Sequence, residues 1–215
     1  MRLLILDAAL PRGLAAIVAD GHLRARRTMP GARGHAAQLA PMAEAVLAEA
    51  GIAARDLDAV AATIGPGSFT GLRAALALAH GIAAAIGRPV IGVTVPEAFA
   101  AGHPPDGRTL WVAIHSRRGR VFLHDGTALA SLDLNDLPGA TGIAVAGDAA
   151  IEVAARLAAR GADVRLTDQR LPEPLPIAAI AARRLAGALP PLAAQPLYVD
   201  APEARLPAAP RAAPR

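Results

Sequence analysis

Two residue types are missing from the chain, and each absence excludes a class of chemistry. The 215 residues contain no cysteine, which excludes disulfides, thiolate metal sites and cysteine nucleophiles. They also contain no lysine, so all 22 basic residues are arginine. Without lysine there is no P-loop lysine, kinase β3 lysine, Schiff base or Ser–Lys dyad. Composition alone therefore removes several common enzyme classes.

Aromatic content and net charge are both low. Phe, Trp and Tyr make up 2% of the sequence, which argues against a platform for stacking nucleobases. The formal net charge is only +4, and arginine is clustered only at residues 24–27 and 117–120. Strong nucleic-acid binding usually requires a dense basic stripe, which this sequence lacks. Direct RNA contact would therefore be a minor part of the function.

Long hydrophobic runs are missing as well, although 53% of the residues are hydrophobic. The first apolar run, residues 3–6, ends at Asp7 and is too short for a signal peptide. The longest weakly polar stretch, residues 74–86, contains His80 and is too short to span a bilayer. We therefore expect a folded cytoplasmic protein that does not contact a membrane.

The predicted order of strands and helices is repeated along the chain. In each half, three meandering strands come first and helices then alternate with strands. This order predicts an α/β protein built from two ribonuclease-H-like lobes. The predicted division is an N-terminal lobe at 1–102 that carries the partner-binding helices, a second lobe at 103–189, and a Pro- and Ala-rich tail at 190–215.

The loop before the predicted helix 72–86 is the most informative motif. Glycine lets a backbone approach its neighbours closely, and a Ser or Thr hydroxyl can cap the following helix. Free N–H groups at a helix N-terminus can also hold an anion. The spacing matches neither a dinucleotide fingerprint, a P-loop nor a nucleophile elbow, so a rigid turn and an anion contact both stay open. The loop consists of Gly65, Pro66, Gly67, Ser68, Phe69, Thr70 and Gly71.

The helix predicted at 72–86 has almost no polar face, and the helix before it is also mostly apolar. A helix that is apolar all round is buried on all sides, yet a sheet in so small a lobe covers only one. The two helices therefore predict a partner-binding face, unless both sides are covered within one subunit. The predicted interface residues are His35, Leu39, Met42, Val46, Leu72, Arg73, Leu76, Ala79, His80 and Ala83.

Asp7 closes the first predicted strand, where a carboxylate could hold hydrated Mg²⁺ near phosphates. No hydroxyl follows it, and the equivalent place in the second lobe, His115 and Ser116, has no carboxylate. Because nucleotide sites between two lobes need contributions from both, we interpret Asp7, His115 and Ser116 as a degenerate nucleotide site. No histidine pair has metal-ligand spacing, so we assign neither a metal site nor a catalytic residue.

Several segments, in order along nearly the whole chain, resemble the TsaB (YeaZ) family. The specific stretch is Gly-Pro-Gly-Ser-Phe-Thr-Gly-x-Arg at residues 65–73. The sequence departs from the usual family pattern at Ala8 and Ala9, where Thr-Ser is common, and at His115 and Ser116, where Asp-Ala is common. Both departures weaken nucleotide binding further. The other matching segments are 33–42, 56–60, 81–83 and 88–93, with weaker matches at 117–122, 146–148 and 196–204.

The resemblance implies a two-lobed actin/Hsp70-like fold and a role in making N6-threonylcarbamoyladenosine on tRNA. Such a subunit is not itself the enzyme. It dimerises with the TsaD-type catalytic subunit through first-lobe helices and, together with a TsaE-type ATPase, supports threonylcarbamoyl transfer to the adenosine 3′ of the anticodon. Alone it can form a homodimer, and its tRNA contact is indirect. No cofactor is expected on this chain alone, since the partner subunits use ATP and metal.

Two alternatives belong to other functional classes. An ATP-dependent phosphotransferase of the same fold would need nucleotide-binding carboxylates in both lobes, and the second lobe lacks one at His115 and Ser116. A proteolytic enzyme is disfavoured because neither a metal pair nor a plausible catalytic triad is visible.

Overall fold

Two five-stranded sheets form the framework of the residues that the computed structural model describes, which are 1–31, 35–116 and 119–200. The first sheet has the order β3-β2-β1-β4-β5. Strands β1 to β3 are antiparallel neighbours, whereas β4 and β5 run parallel to β1. The strands are β1 (Arg2–Asp7), β2 (Arg12–Ala19), β3 (His22–Pro30), β4 (Ala59–Gly65) and β5 (Val90–Thr94).

The second sheet repeats this topology with the order β10-β9-β6-β7-β8. Its three leading strands are again antiparallel, and its last two are parallel to the first of them. The predicted duplication of an α/β lobe is therefore confirmed. The strands are β6 (Thr109–His115), β7 (Arg120–His124), β8 (Leu129–Asp133), β9 (Ile143–Ala146) and β10 (Val164–Leu166).

Five α-helices accompany the sheets in the described residues. They are α1 (His35–Ala50), α2 (Phe69–Ile86), α3 (Val95–Gly102), α4 (Ala150–Ala159) and α5 (Pro174–Leu185). We call the first sheet with α1 to α3 the first lobe, and the second sheet with α4 the second lobe. Helices α1 and α2 pack side by side on one face of the first sheet, in a core that contains Val46, Leu76 and Ala79.

Helix α2 is bounded by residues suited to its two ends. The Ser68 hydroxyl accepts a hydrogen bond from the Gly71 backbone N–H, which caps the N-terminus. Gly87, with φ of 64°, takes the left-handed conformation that ends the helix. The predicted start at 72 is three residues late because Phe69 and Thr70 already follow the cap.

Helix α5 belongs to the first sheet, although the predicted division places it in the second lobe at 103–189. Its residues Ile177 and Ala181 are fully buried against Leu3 and Ile5, on the sheet face opposite α1 and α2. Arg184 fixes the helix further, since its guanidinium donates to the Gly92 carbonyl at 2.7 Å and to a Glu97 carboxylate oxygen at 2.6 Å. The uncovered apolar face of the first sheet explains why the chain returns to it.

Residues 190–198, which we call the C-terminal strap, lie against α2 and β4. Leu192, Ala194 and Leu197 pack on the core of the first lobe. The Leu197 backbone N–H donates to the Ile64 carbonyl at 2.7 Å, and His80 Nε2 donates to the Ala194 carbonyl at 2.8 Å. The predicted tail at 190–215 therefore begins as packed chain, while its residues 201–215 lie outside the described residues.

Candidate functional site

The loop 65–71 packs directly on the chain that follows β1. The Ser68 backbone N–H donates to the Ala9 carbonyl at 2.7 Å. A methyl group at Gly67 would overlap the Ala9 carbonyl oxygen, and one at Gly71 would overlap the Ala8 carbonyl oxygen. Glycine is therefore required at both positions by close backbone approach. These contacts are those of a rigid turn, and the anion contact stays a prediction.

Asp7 is almost completely buried at the end of β1. Its Oδ1 accepts hydrogen bonds from the Thr63 hydroxyl at 2.5 Å and from the Ala9 backbone N–H at 3.0 Å. Its Oδ2 has no hydrogen-bond partner within the described part of the chain and lies 3.7 Å from Arg12 Nη2. Burial raises the pKa of Asp7 above its ordinary value of 3.8, although the hydrogen bonds and Arg12 oppose the shift.

Asp7→Asn is expected to stabilise the fold at neutral pH. Because the folded-state pKa is raised, the contribution of Asp7 to stability is fully present below pH 3.8 and is lost as the pH rises through the raised pKa. Asparagine keeps an oxygen for Thr63 and Ala9 but carries no buried charge. We expect a gain on the order of 1 kcal/mol in the free energy of unfolding at neutral pH.

Urea unfolding of wild type and Asp7→Asn at neutral pH and below pH 3.8 measures this difference. The two midpoints should converge in acid. A wild type that is the more stable protein at neutral pH would contradict the expectation.

The ends of the two lobes meet through apolar side chains, which we call the interlobe cluster. Its first-lobe members follow β1 or belong to α2 and α3. Its second-lobe members belong to β6 and β9. Each of them is at most 3% exposed, so the place between the carboxyl ends of β1 and β6 is filled. The interlobe cluster consists of Ala9, Leu10, Leu72, Val95, Phe99, Val112, Ile114 and Ala146.

The residues of the predicted degenerate nucleotide site make their hydrogen bonds within separate lobes. Asp7 is bonded within the first lobe, as described above. His115 is exposed and its backbone N–H donates to Asp148 Oδ1 at 2.9 Å, while the Ser116 backbone N–H donates to the Arg120 carbonyl at 2.9 Å. These hydrogen bonds thus place His115 and Ser116 in the second lobe's own network.

Asp148 is a carboxylate that the sequence argument misses. Its pKa is raised chiefly by burial, against the opposing effect of the His115 backbone N–H. It follows β9, which runs parallel to β6, so the carboxyl ends of these strands bring it beside His115. The prediction considered only the residues directly after β6, where His115 and Ser116 indeed supply no carboxylate, and so did not include Asp148. The parallel pairing of neighbouring strands is the signal that points to Asp148.

Most of the predicted interface residues lie in the core rather than on the surface. Met42 is half-buried, Arg73 and His80 are exposed, and the side chain of His35 lies outside the described residues. The core residues are covered by the sheet, by the interlobe cluster or by the chain after β1, so they offer almost no surface to a partner. They are Leu39, Val46, Leu72, Leu76, Ala79 and Ala83, each at most 4% exposed.

In addition to larger exposed residues such as Gln38, Glu44 and Glu49 of α1, the surface of α1 and α2 presents a set of small side chains. We call it the outer helical face. Helix α2 is long and apolar enough by length and composition to cross a membrane, yet only 33% of it is buried, and that side packs on the first sheet. Helix α2 contains no acidic residue. The outer helical face consists of Ala77, Gly81, Ala84 and Ala85 from α2, with Ala37, Pro41 and Ala48 from α1.

Several of the known proteins to which this chain is similar are described by names that concern the threonylcarbamoyl modification of tRNA. A family model described as TsaD, tRNA N6-adenosine threonylcarbamoyltransferase, matches residues 30–187. The Escherichia coli tRNA threonylcarbamoyladenosine biosynthesis protein TsaB is 34% identical over 124 residues, which are 57% of this chain and 53% of that protein. A tRNA N6-adenosine threonylcarbamoyltransferase of Erythrobacter litoralis is 51% identical over 69 residues, which are 32% of this chain and 20% of the enzyme.

Among solved structures, YeaZ from Pseudomonas aeruginosa superposes with a TM-score of 0.76 at 26% identity, covering 92% of this chain and 99% of that one. The two-lobed actin/Hsp70-like α/β fold is therefore confirmed. The match with the curated sequences is shorter, since the aligned segment spans about half of TsaB and a fifth of the transferase.

Proposed function

The chain belongs to the TsaB (YeaZ) family, and from this premise we propose that it is a non-catalytic subunit for threonylcarbamoyladenosine synthesis on tRNA. In this proposal it dimerises with the TsaD-type catalytic subunit in the cytoplasm. It supports transfer of the threonylcarbamoyl group to the N6 of the adenosine 3′ of the anticodon. A TsaE-type ATPase completes the complex, tRNA is contacted indirectly, and the chain alone can form a homodimer.

The observation that carries the proposal is the outer helical face. Methyl groups and a glycine are exposed along one side of α2, at Ala77, Gly81 and Ala84, which recur at helical spacing. Small side chains let a second helix approach closely, and such a surface gains stability when another apolar surface covers it. A stable interface buries on the order of 800 Å² on each partner, and two adjacent helices of this length can supply that area.

The interlobe cluster supports a role without nucleotide chemistry. Ala9, Leu10 and Ile114 fill the ends of the two lobes, where a nucleotide would need polar and charged groups. No group of three His, Asp or Glu side chains able to hold a metal occurs within residues 1–31, 35–116 and 119–200. In this proposal ATP and metal are used by the partner subunits.

Isothermal titration of the purified chain with Mg-ATP distinguishes this proposal from a phosphotransferase of the same fold. We expect no saturable heat, equivalent to a Kd weaker than ~1 mM. The half-buried carboxylate of Asp148 is the one observation that favours the alternative. Micromolar binding that disappears in Asp148→Asn would revive the phosphotransferase alternative and contradict the expectation that this chain binds no nucleotide.

The proposal itself is tested by reconstitution. The purified chain is mixed with a TsaD-type protein, a TsaE-type ATPase, ATP, an activated threonylcarbamoyl donor and tRNA, and threonylcarbamoyl transfer is measured with and without the chain. We expect a complex with the TsaD-type protein on size-exclusion chromatography and a transfer rate that depends on this chain. A rate that is unchanged when the chain is omitted, or turnover by the chain alone, would refute the role.

A further inference from the structure

An arginine and two exposed aromatic rings form a cluster at the edge of the outer helical face. The Arg73 guanidinium carbon lies 3.7 Å from the centre of the Phe69 ring and 6.0 Å from that of Tyr198. Phe69 and Tyr198 are 44% and 52% exposed, with ring centres 6.0 Å apart. In a chain with only 2% aromatic residues, two large rings exposed side by side need an explanation other than core packing.

The hydrogen bonds of Arg73 leave one side of its guanidinium open. Its Nε and Nη2 both donate to the Tyr198 hydroxyl, at 3.1 and 3.0 Å. Of the five N–H donors of an arginine, the two on Nη1 and the second on Nη2 thus have no partner among the described residues. One free N–H group on Nη1 and the one on Nη2 point outward side by side from the end of the guanidinium. Together they can donate two parallel hydrogen bonds to one carboxylate.

The charge around the cluster favours an acidic group on the partner. Neither α2 nor the C-terminal strap contains an Asp or Glu residue, and α2 carries only Arg73 and His80 as basic groups. Arg73 also precedes Ala77 by four residues, so it borders the outer helical face. A carboxylate arriving with a helix on that face would therefore meet no competing acidic side chain from α2 or the strap. The acidic residues of the neighbouring segments are Glu44 and Glu49 of α1, the latter paired with Arg27 at 2.8 Å, and Asp200 after the strap.

On these grounds, we infer that Arg73 binds a carboxylate of the TsaD-type partner, held ready for it by Phe69 beneath and by Tyr198 of the C-terminal strap. This inference rests on the proposed function and assigns the strap a part in docking. It also explains why residues 190–198 are packed on α2, since Tyr198 fixes Arg73 before the partner arrives. Fixing a long side chain in advance removes part of the entropy cost of binding.

A protein partner fits the cluster better than a nucleobase. Stacking of a base requires a free aromatic face, and the guanidinium already covers one face of Phe69 at 3.7 Å. The basic groups on α2 are also too few to follow a phosphate backbone. RNA contact at this place is therefore an alternative outcome of the test.

The test measures affinity for the purified TsaD-type protein by isothermal titration, with four variants of the full chain. Arg73→Ala is expected to weaken binding roughly 30-fold, the scale of a hot-spot residue. Arg73→Lys should not restore it, because an ammonium group cannot form the two parallel bonds. Tyr198→Phe keeps the ring but loses the hydroxyl and should weaken binding roughly fivefold. Arg183→Ala, an exposed arginine on α5 across the sheet, is the matched control and should bind like wild type.

The outcomes separate this inference from the proposed function. If wild type does not bind the TsaD-type protein, both are refuted. If wild type binds and Arg73→Ala binds equally well, the inference is refuted while the function stands. Equal binding by Arg73→Lys and wild type would refute the two-bond carboxylate contact. If Arg73→Ala weakened only tRNA binding, or only self-association of the chain, the inference would be overturned in favour of RNA or of a second copy of the chain.

Discussion

Gly71→Ala is expected to destabilise the chain by about 3 kcal/mol or more. Gly71 lies in the first turn of α2, and a methyl group there would overlap the carbonyl oxygen of Ala8. The obstacle is backbone, so no side-chain rotation relieves it, and Ala8 is itself fully buried beneath the loop. Either α2 or the chain after β1 must move, and both contribute to the first-lobe core. Urea unfolding followed by far-UV circular dichroism measures the loss.

Gly81→Ala in the same helix is the matched control. No heavy atom lies within 4 Å of the methyl group that this substitution adds. Because glycine in a helix interior costs roughly 0.5–1 kcal/mol relative to alanine, the control should be slightly stabilised. Effects of the same sign and size in both variants would contradict the assignment of Gly71 to a close backbone contact.

Local signals in the sequence are sufficient for most elements of secondary structure. The pair Asp20 and Gly21 predicts a tight turn, and both residues have positive φ, 52° and 78°. Gly87 predicts the end of α2 and takes the left-handed conformation there. The repeated order of elements likewise predicts the two sheets. These features depend on neighbouring residues, which a sequence displays directly.

The orientation of α2 was not recognised, because only three polar side chains, Thr70, Arg73 and His80, mark its exposed side. Leu76 and Ala77 look alike as interface candidates in the sequence, yet Leu76 is 4% exposed and Ala77 lies on the surface. Among the apolar positions, only tertiary packing distinguishes the two faces. The residues predicted for the interface from helical spacing are therefore mainly core residues, and the choice of α1 and α2 as the docking helices stays a prediction.

Contacts between distant segments are the other part that the sequence did not reveal. Arg184 of α5 binds the Gly92 carbonyl of the first sheet, and Leu197 of the strap binds Ile64. These pairs are far apart in the chain, and no local pattern encodes them. The same reason explains why Asp148, which belongs to the end of a neighbouring strand, was missed beside His115.

Ala77→Glu is expected to abolish binding of the TsaD-type partner while leaving the chain folded. Ala77 is exposed on the outer helical face, and glutamate forms helix nearly as well as alanine, so stability should change by less than about 0.5 kcal/mol. In the complex, the added charge would be buried where helices approach closely, and its carboxylate would compete with that of the partner for the Arg73 guanidinium four residues away. We expect binding to weaken at least ~100-fold, or about 3 kcal/mol, measured by isothermal titration.

The control is the same substitution at an exposed alanine of a helix across the sheet. Ala179→Glu on α5 adds equal charge and volume away from α1 and α2, and should bind like wild type. Leu76→Glu would be uninformative, since this buried residue would unfold the lobe and lose binding for that reason. Full binding by folded Ala77→Glu would exclude the outer helical face as the docking surface. Loss of binding by Ala77→Glu with retention by Ala179→Glu would support the outer helical face as the docking surface.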